Sequence, residues 1–222
     1  MFTVIEKYCQ GSVLDVGGWD FYETLAGRNV RFDHWIVLEH DKNRVFMSTD
    51  PKYSCVVGDG CEMRFEDNQF DTVLNIQVIE HVFEPIKMFS EITRVLKPNG
   101  HAIFLVPHTG VLHELPHHYH NFTQFWFKEA AKRSSVEIVE LRFLGGAFAT
   151  MASHMVYLYF QILRVKGYST GEYKRNILFY FFLPFMILYT LINIPLCLLF
   201  SLADIKENAN NHLVVLKKHA RC

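Results

Sequence analysis

The alternation of apolar and polar stretches predicts strands and helices in turn along the first two thirds of the chain. Short β-branched and apolar runs, typical of buried strands, are separated by stretches whose apolar residues recur at helical spacing. The predicted strands are residues 12–16, 35–39, 54–57, 70–75, 102–107 and 136–143, with a weakly alternating last strand at 212–219. This order predicts an α/β fold built on a mostly parallel sheet.

Residues 70–107 form the clearest unit of this pattern. The strand FDTVLN leads through a polar loop into a helix that Pro85 opens, since the first helical position needs no N–H. The helical face predicted to pack on the sheet consists of Ile86, Phe89, Ile92, Val95 and Leu96. Residues 97–100 end the helix, and AIFLVP follows as a second buried strand. Two parallel strands joined by one helix predict a right-handed βαβ unit.

Three polar features follow successive predicted strands. Asp15, Gly17 and Gly18 end the first strand, where glycine lets a ligand approach the backbone closely. Glu39 follows Gly17 by 22 residues, the spacing at which a carboxylate reaches a ribose diol in dinucleotide-type folds. The segment Asp59-Gly60-Cys61 ends the third strand and offers an acid and backbone amides to an adenine edge. Each feature alone is weak evidence, but together they predict a cofactor site at the carboxyl ends of the strands.

With these motifs in place, the sequence resembles the class I S-adenosylmethionine-dependent methyltransferases, in particular their small-molecule, type-11-like branch. The resemblance rests on VLDVGG, on WIVLE, and on VVGDGCEMRFEDNQFDTVLNIQVIEHVFEP with the later EITRVLKPNGHAIFLVP. It covers roughly residues 10–143 and the terminal strand. It implies S-adenosyl-L-methionine as cofactor. It also implies a Rossmann-like, seven-stranded, mostly parallel sheet with an antiparallel last strand and helices on both faces.

The same resemblance assigns roles to individual residues. Glu39 would take the ribose-binding position, and Asp59 and Cys61 would contact the adenine. His81 would lie near the site of methyl transfer. The residues along the methionine part of the cofactor would be Asn75, Ile76 and Gln77.

One departure from the family pattern concerns the glycine-rich loop. The family usually has glycine two and four residues after Gly17, where this chain has Trp19 and Phe21, and Gly18 compensates in part. Bulky residues there keep a catalytically degenerate, membrane-associated module as the alternative function. A nicotinamide-dependent oxidoreductase is less favoured, because it requires G-x-G-x-x-G and this chain has GGWDFY.

A loop dense in histidine follows the fifth predicted strand. Its histidines are His108, His113, His117, His118 and His120. LPHHYHNFT resembles the acceptor-side loop of the same family, with Tyr119, Phe122 and Thr123 at matching positions. His81, His118 and Tyr119 are therefore the candidate catalytic residues, since histidine is the usual base for an oxygen or nitrogen acceptor. The alternatives are ordinary surface histidines and a zinc site. Only Glu114 could complete a ligand set, so no metal is expected.

An apolar segment, residues 177–203, contains no charged residue over 27 positions, more than the ~20 that cross a bilayer. Pro184, Asn193 and Pro195 are expected to divide it into pieces of about 10 to 14 residues, typical of re-entrant or buried helices. We expect the segment to dip into one leaflet, with the basic linker RVKGYSTGEYKR near anionic lipids. The alternative is a helical lid packed on the sheet or on a second subunit.

These elements predict a methyltransferase core at residues 1–144, an apolar helical insertion at 145–205 and a terminal strand at 206–222 that completes the sheet. The net charge of −1 argues against a nucleic-acid partner. Five cysteines without C-x-x-C spacing indicate free thiols in a reducing compartment, and the first residues do not resemble a signal peptide. The expected protein is cytoplasmic, peripheral or monotopic at the inner membrane face. It would transfer methyl groups to a small or lipid-linked acceptor.

Overall fold

The computed structural model describes residues 1–25, 27–45, 48–169 and 174–220, and the chain divides into two compact units. The first unit consists of Met1–Val106, Phe122–Arg142 and His212–Cys222, and the second of Pro107–Asn121 and Phe143–Asn211. The predicted boundaries placed residues 107–121 in the core. In the structure this loop groups with the apolar insertion.

Within the described residues, seven strands form one sheet in the order β3-β2-β1-β4-β5-β7-β6. The strands are β1 Ser12–Val16, β2 His34–Glu39, β3 Tyr53–Val57, β4 Phe70–Ile76, β5 Leu96–Pro107, β6 Val136–Leu144 and β7 Asn211–Lys218. Strands β3, β2, β1, β4 and β5 pair in parallel, and the last strand is antiparallel, which confirms the predicted fold class. The strand order reverses beside β1, so a crevice opens at the carboxyl ends of β1 and β4.

The helices of the first unit depart from the predicted pattern at Ile86, at Phe125 and at Leu96, because Leu96 and the predicted helix stop at 97–100 belong to β5. These helices are α1 Phe2–Tyr8, α2 Phe21–Thr24, α3 Pro85–Val95 and α4 Gln124–Arg133. Phe89 stacks on Phe104 of β5 at 5.8 Å between ring centroids, which ties α3 to the centre of the sheet. Ile86 is 46% exposed, so its prediction as a core residue is wrong. Met88 lies on the buried stripe four residues before Ile92 and takes that place.

The stretch QFWFKEAAKRS predicts a helix with Phe125, Phe127 and Ala131 directed inward, and for Phe125 this prediction is wrong. Phe125 is 65% exposed, while Phe127 and Ala131 are buried as predicted. Positions 125 and 127 differ by two residues, roughly 200° around a helix, so they cannot share one face. Trp126 covers the edge of the core instead and packs its ring against Phe122 at 4.8 Å.

The second unit is built on an antiparallel pair of helices, α5 Ala147–Ile162 and α6 Ile177–Phe200, which we call the hairpin. At its base, the Asp204 carboxylate accepts hydrogen bonds from the N–H groups of Phe148 and Ala149 at 2.8 and 3.0 Å. This caps the N-terminus of α5 with a negative charge. At the opposite end, the Arg175 guanidinium donates to the carbonyls of Ile162 and Gln161. Both ends of the two helices are therefore tied together.

Helix α6 runs without a break through Pro184 and Pro195, so the expected division into shorter pieces is wrong. Proline φ is compatible with a helix, although each ring removes one backbone hydrogen bond and crowds the carbonyl four residues earlier. Asn193 supports the second half, since its side-chain amide donates to the carbonyl of Tyr189 at 2.7 Å. The predicted linker falls partly outside the description, because residues 170–173 are not among the described ones.

Candidate functional site

The loop after β1 contains two glycines, Gly17 and Gly18, at positions where a side chain would not fit. Gly17 has a φ of +70°, and its N–H donates to the carbonyl of Leu38 at 2.8 Å. A Cβ atom on Gly17 would lie 2.8 Å from a methyl carbon of Val78. A Cβ atom on Gly18 would overlap the carboxylate of Asp15. Both glycines are therefore required by space, and Gly17 is required by its backbone conformation as well.

Asp15 is a buried carboxyl group at the carboxyl end of β1. It is fully buried, and neither of its side-chain oxygens has a hydrogen-bond partner within the described part of the chain. Burial raises the pKa of Asp15 to about 7, and the negative charge of Glu39 adds to the shift. The indole of Trp35 opposes the shift without reaching hydrogen-bonding geometry. A buried carboxyl group without a partner is costly unless a ligand supplies one.

Glu39 ends β2 one strand away from Asp15. Its side chain is 5% exposed, and Oε1 accepts a hydrogen bond from the N–H of Asp41 at 3.2 Å. Oε2 is buried and has no partner among the described residues. Gly58 extends the pairing with β3 through its N–H, which donates to the carbonyl of Glu39 at 3.0 Å. The predicted ribose-binding carboxylate is thus held on one oxygen and has acceptor capacity on the other.

Asp59, Gly60 and Cys61 form a tight turn after β3. Oδ1 of Asp59 accepts a hydrogen bond from the N–H of Cys61 at 2.8 Å. Gly60 is buried where a Cβ atom would collide with the side chain of Met88. Burial, with the charges of Asp59 and Glu84, raises the pKa of the Cys61 thiol. The thiol is therefore not activated as a nucleophile, and the turn presents mainly backbone and a carboxylate.

Asn75, Ile76 and Gln77 continue from β4 into the loop that carries His81. The Asn75 side chain is buried, and its oxygen accepts a hydrogen bond from the N–H of Ile79 at 3.2 Å. Gln77 has a φ of +57°, and its N–H donates to the carbonyl of Leu105 at 2.8 Å. The Asn75 amide thus supports the turn, and the backbone of 76 and 77 lines the carboxyl end of β4.

His81 ends a single 3₁₀ turn, Ile79–His81, beyond β4. Its side chain is 20% exposed, and Nε2 lies 3.9 Å from Oε1 of Glu80, beyond hydrogen-bonding distance. Glu80 is buried, and burial raises its pKa to about 8. Glu80 was not predicted from the sequence. Its signal is an acid within an otherwise apolar stretch beside a candidate base, VIEHV.

The other two predicted catalytic residues, His118 and Tyr119, lie in the second unit. Nδ1 of His118 accepts a hydrogen bond from the N–H of His113 at 3.2 Å, and Nε2 faces Oδ1 of Asn121 at 3.4 Å. Burial and the nearby His113 lower the pKa of His118. The hydroxyl of Tyr119 lies 3.2 Å from Nδ1 of His117. His118 therefore contributes both ring nitrogens to the internal structure of its loop.

Comparisons with known proteins agree with the resemblance to methyltransferases. Residues 36–104 match the model of a family described as a methyltransferase domain. An uncharacterised methyltransferase of Mycolicibacterium gilvum (strain PYR-GCK) is 30% identical over 96 residues, which cover 41% of this chain and 37% of that protein. The chain thus spans well under half of this curated relative. The family match and the relative support a class I S-adenosylmethionine-dependent methyltransferase domain around residues 36–104 of this chain.

Solved structures share the fold at low sequence identity. Phosphoethanolamine N-methyltransferase 2 of Haemonchus contortus, in complex with S-adenosyl-L-methionine, is 20% identical with a TM-score of 0.57, covering 98% of this chain and 52% of that one. The YcgJ protein of Bacillus subtilis is 12% identical with a TM-score of 0.58, covering 100% and 97%. The [4+2]-cyclase SpnF is 13% identical with a TM-score of 0.59, covering 99% and 80%. One of these neighbours is a cyclase, so the fold alone does not define the reaction.

Proposed function

We propose that this chain binds S-adenosyl-L-methionine at the carboxyl ends of β1 to β4 and transfers its methyl group to a small or lipid-linked acceptor. The observation that carries the proposal is the pair of buried carboxyl groups, Asp15 and Glu39, because both oxygens of Asp15 and Oε2 of Glu39 have no partner among the described residues. Such groups are unfavourable in a ligand-free core and are typical of a site that a polar ligand completes.

Residues of the first unit can be assigned to each chemical part of this cofactor. Oε2 of Glu39 can accept hydrogen bonds from a ribose diol, since Oε1 is already engaged. The absence of side chains at Gly17 and Gly18 allows a ligand to contact the backbone. Oδ1 of Asp59 is engaged by the N–H of Cys61, so we assign its second oxygen, Oδ2, to accept a hydrogen bond from the adenine amino group. The methionine part would lie along the backbone of Ile76 and Gln77.

The chemistry demands little beyond alignment. When bound, S-adenosylmethionine supplies a methyl group already activated on a sulfonium sulfur. The contribution of the chain is to hold the acceptor in line with the methyl group and to exclude water. Such positioning alone can accelerate a reaction greatly. His81 is the residue we assign to take a proton from an oxygen or nitrogen acceptor. Burial raises the pKa of Glu80 to about 8, which favours the neutral form of this carboxyl group next to His81 at neutral pH.

Calorimetric titration with S-adenosylhomocysteine, the demethylated product, tests the binding half of the proposal. We expect saturable binding by the full chain and strong weakening in Glu39→Ala. Asp33→Ala is the matched control, because Asp33 is an exposed acid before the opposite end of the same strand. Absence of binding at millimolar ligand would refute the proposal. Equal loss in both variants would show that the effect is not local to the site.

Catalysis is tested separately from binding, because the alternative is a degenerate module that binds but does not transfer. The assay follows tritiated methyl groups from S-adenosylmethionine into extracts of small metabolites and of membrane lipids. We expect transfer by the wild type and a fall of about 10²- to 10⁴-fold in His81→Gln with unchanged affinity for S-adenosylhomocysteine. Binding by the wild type without transfer into either extract would favour the degenerate module.

We also propose that the hairpin contacts a lipid bilayer, which supports a lipid-linked acceptor over a freely soluble one. Among the described residues, Ile177–Ala203 is the one helical stretch long and apolar enough to cross a membrane, and 11% of its most apolar window is buried. A core helix of the same composition would be mostly buried. Large side chains are exposed on every turn, including Phe181, Phe185 and Leu188 at 64%, 63% and 57%.

Charge supports an orientation of the hairpin parallel to the bilayer surface. Arg164, Lys166, Lys174 and Arg175 cluster at the end where α5 stops and α6 starts, and Lys206 follows the other end. Helix α6 is about 36 Å long at 1.5 Å per residue, so a perpendicular hairpin would carry the four-residue cluster across the membrane. That arrangement opposes the positive-inside bias. A parallel hairpin keeps both basic ends at one phosphate layer, where they attract anionic lipids.

Vesicle flotation tests the contact. We expect the full chain to float with anionic vesicles of phosphatidylglycerol and phosphatidylcholine. The variant Phe181→Ser/Phe185→Ser/Leu188→Ser should remain in the soluble fraction, because its three changes remove exposed apolar surface. Phe125→Ser is the matched control, since Phe125 is equally exposed but lies in the first unit. Recovery of the wild type in the soluble fraction would favour a lid or a contact with a second subunit.

A further inference from the structure

Trp19 adopts a backbone conformation that bulky residues rarely take. Its φ is +42°, in the left-handed region, and it directly follows Gly17 and Gly18 in the loop after β1. The left-handed region is disfavoured for residues with a Cβ atom, and a bulky residue there is a genuine outlier. Such strain persists only when surrounding contacts hold it in place. The loop therefore needs a compensating interaction at Trp19.

Arg44 provides that interaction from the neighbouring loop. Its guanidinium carbon lies 5.1 Å from the centroid of the Trp19 indole, within the range of a cation–π contact. The indole is half exposed, at 47%, so its side chain is directed out of the core. Arg44 ends the short turn Lys42–Arg44 that follows β2. The contact thus joins the loops after β1 and β2.

The turn that presents Arg44 is itself fixed to the candidate ribose site. The Asp41 carboxylate accepts hydrogen bonds from the N–H and the side-chain amide of Asn43 at 2.9 and 2.8 Å. The N–H of Asp41 donates to Glu39, as described above. Arg44 is therefore held by the same short segment that orients the Glu39 carboxylate.

We propose that Arg44 is a positioning residue for the cofactor loop: it holds the Trp19 indole outward, so that the loop keeps a glycine-like path open to the cofactor. The inference rests on the proposed function. It accounts for a tryptophan where glycine is expected, since Trp19 keeps a positive φ, which glycine adopts readily, and its bulk is directed away from the loop. It also predicts that Arg44 is needed only because residue 19 is tryptophan.

The test is a double-mutant cycle of Arg44→Ala, Trp19→Gly and the double variant, with calorimetric titration of S-adenosylhomocysteine. We expect Arg44→Ala to weaken binding roughly three- to tenfold, as loss of a partly exposed cation–π contact implies. Trp19→Gly should bind at least as tightly as the wild type. In the Trp19→Gly background, Arg44→Ala should then have no measurable effect. Arg31→Ala is the control for loss of an exposed arginine in the same unit.

Hydrogen exchange of the ligand-free protein supplies a readout that does not depend on binding. Arg44→Ala should accelerate exchange of the amides of residues 17–21 by about tenfold or more, and Arg31→Ala should not. Unchanged exchange in Arg44→Ala overturns the inference, whether or not the cofactor binds. Equal weakening by Arg44→Ala with tryptophan or glycine at position 19 also overturns it. If Arg44→Ala accelerates exchange but the wild type binds no cofactor, the proposed function is refuted instead.

Discussion

The backbone N–H of Asp41 donates a hydrogen bond to Oε1 of Glu39 at 3.2 Å, while Oε2 of the same buried carboxylate has no partner among the described residues. The chain therefore fixes the orientation of this carboxylate before any ligand arrives. Such pre-organisation lowers the cost of binding, because the side chain has little rotamer freedom left to lose.

Replacement of the Glu39 charge should weaken cofactor binding without unfolding the sheet. Glu39→Gln keeps the shape and can still accept from Asp41, but a hydrogen bond to a charged group is worth about 1.5–3 kcal/mol. We expect a loss of roughly 10- to 100-fold in affinity for S-adenosylhomocysteine by calorimetry. Asp33→Asn should bind as the wild type does. An affinity within twofold of wild type in Glu39→Gln would remove Glu39 from the site.

A methyl group at position 18 should disturb both the loop and the site. A Cβ atom there overlaps the Asp15 carboxylate, so Gly18→Ala forces one of the two groups to move. Overpacking of this kind costs about 1–3 kcal/mol, and we expect lower thermal stability together with loss of cofactor binding. Gly27→Ala is the control, because Gly27 has a φ of +79° but open space around its Cβ position. It should lose stability by strain and still bind.

Asp15 should make the ligand-free protein less stable as the pH rises. Its pKa is raised from 3.8 to about 7, so the folded state holds the proton more tightly than the unfolded state does. The resulting contribution is greatest below pH 3.8 and is lost as the pH rises towards 7, on the order of 4 kcal/mol in all. Thermal unfolding between pH 5 and pH 8 should therefore show a flatter curve for Asp15→Asn than for the wild type. Parallel curves would contradict this assignment.

Glu80 provides an internal control for that measurement. Its pKa is raised to about 8, so it adds a slope of the same sign that extends to higher pH. The slope of Asp15→Asn above pH 7 should become smaller in Asp15→Asn/Glu80→Gln, while the slope near pH 6 that comes from the lowered pKa of His118 and of His101 should remain. An unchanged slope above pH 7 in the double variant would mean that Glu80 does not cause it.

Asn121 should stabilise the histidine loop of the second unit. Its side-chain amide donates to the carbonyl of Gly110 at 3.1 Å, and its oxygen faces Nε2 of His118. Asn121→Ala removes both contacts, and we expect faster hydrogen exchange across residues 108–121 with little change in global stability. Lys128→Ala, at an exposed position on α4, serves as the control. Unchanged exchange would mean that the loop is held by its other contacts.

The depth of α6 in a bilayer distinguishes a parallel from a perpendicular hairpin. The native tryptophans, Trp19, Trp35 and Trp126, all lie in the first unit, so new ones report on the helix. The single variants replace three exposed residues with tryptophan: Ile177 and Leu188 in α6, and Leu202 in the turn directly after it. Fluorescence quenching by lipids brominated at different depths should place all three at one level. A deeper position for 188 than for 177 and 202 would instead indicate a membrane-spanning hairpin.

The local pattern predicted the strand and helix sequence because each element reflects near-neighbour chemistry. The strand Ser12–Val16 and the helix from Pro85 to Val95 agree closely with the predictions. The errors at Ile86 and Phe125 concern which side of a helix meets the core. That choice depends on the partner surface, and an apolar residue at the margin can lie on either side. The proline-containing helix was mispredicted for a related reason, since packing on α5 and an apolar sequence outweigh two missing hydrogen bonds.

For the candidate site, the sequence by itself determined which polar residues end successive strands: Asp15, Glu39 and Asp59. Their common edge follows from parallel pairing, which the pattern already implies. Only the tertiary structure decided that Asp15 and Glu39 are buried with unsatisfied oxygens, and that Arg44 covers Trp19. These relationships join residues from different loops, so burial and electrostatic environment arise only when the sheet brings those loops together. The spacing of residues along the chain therefore cannot predict these relationships.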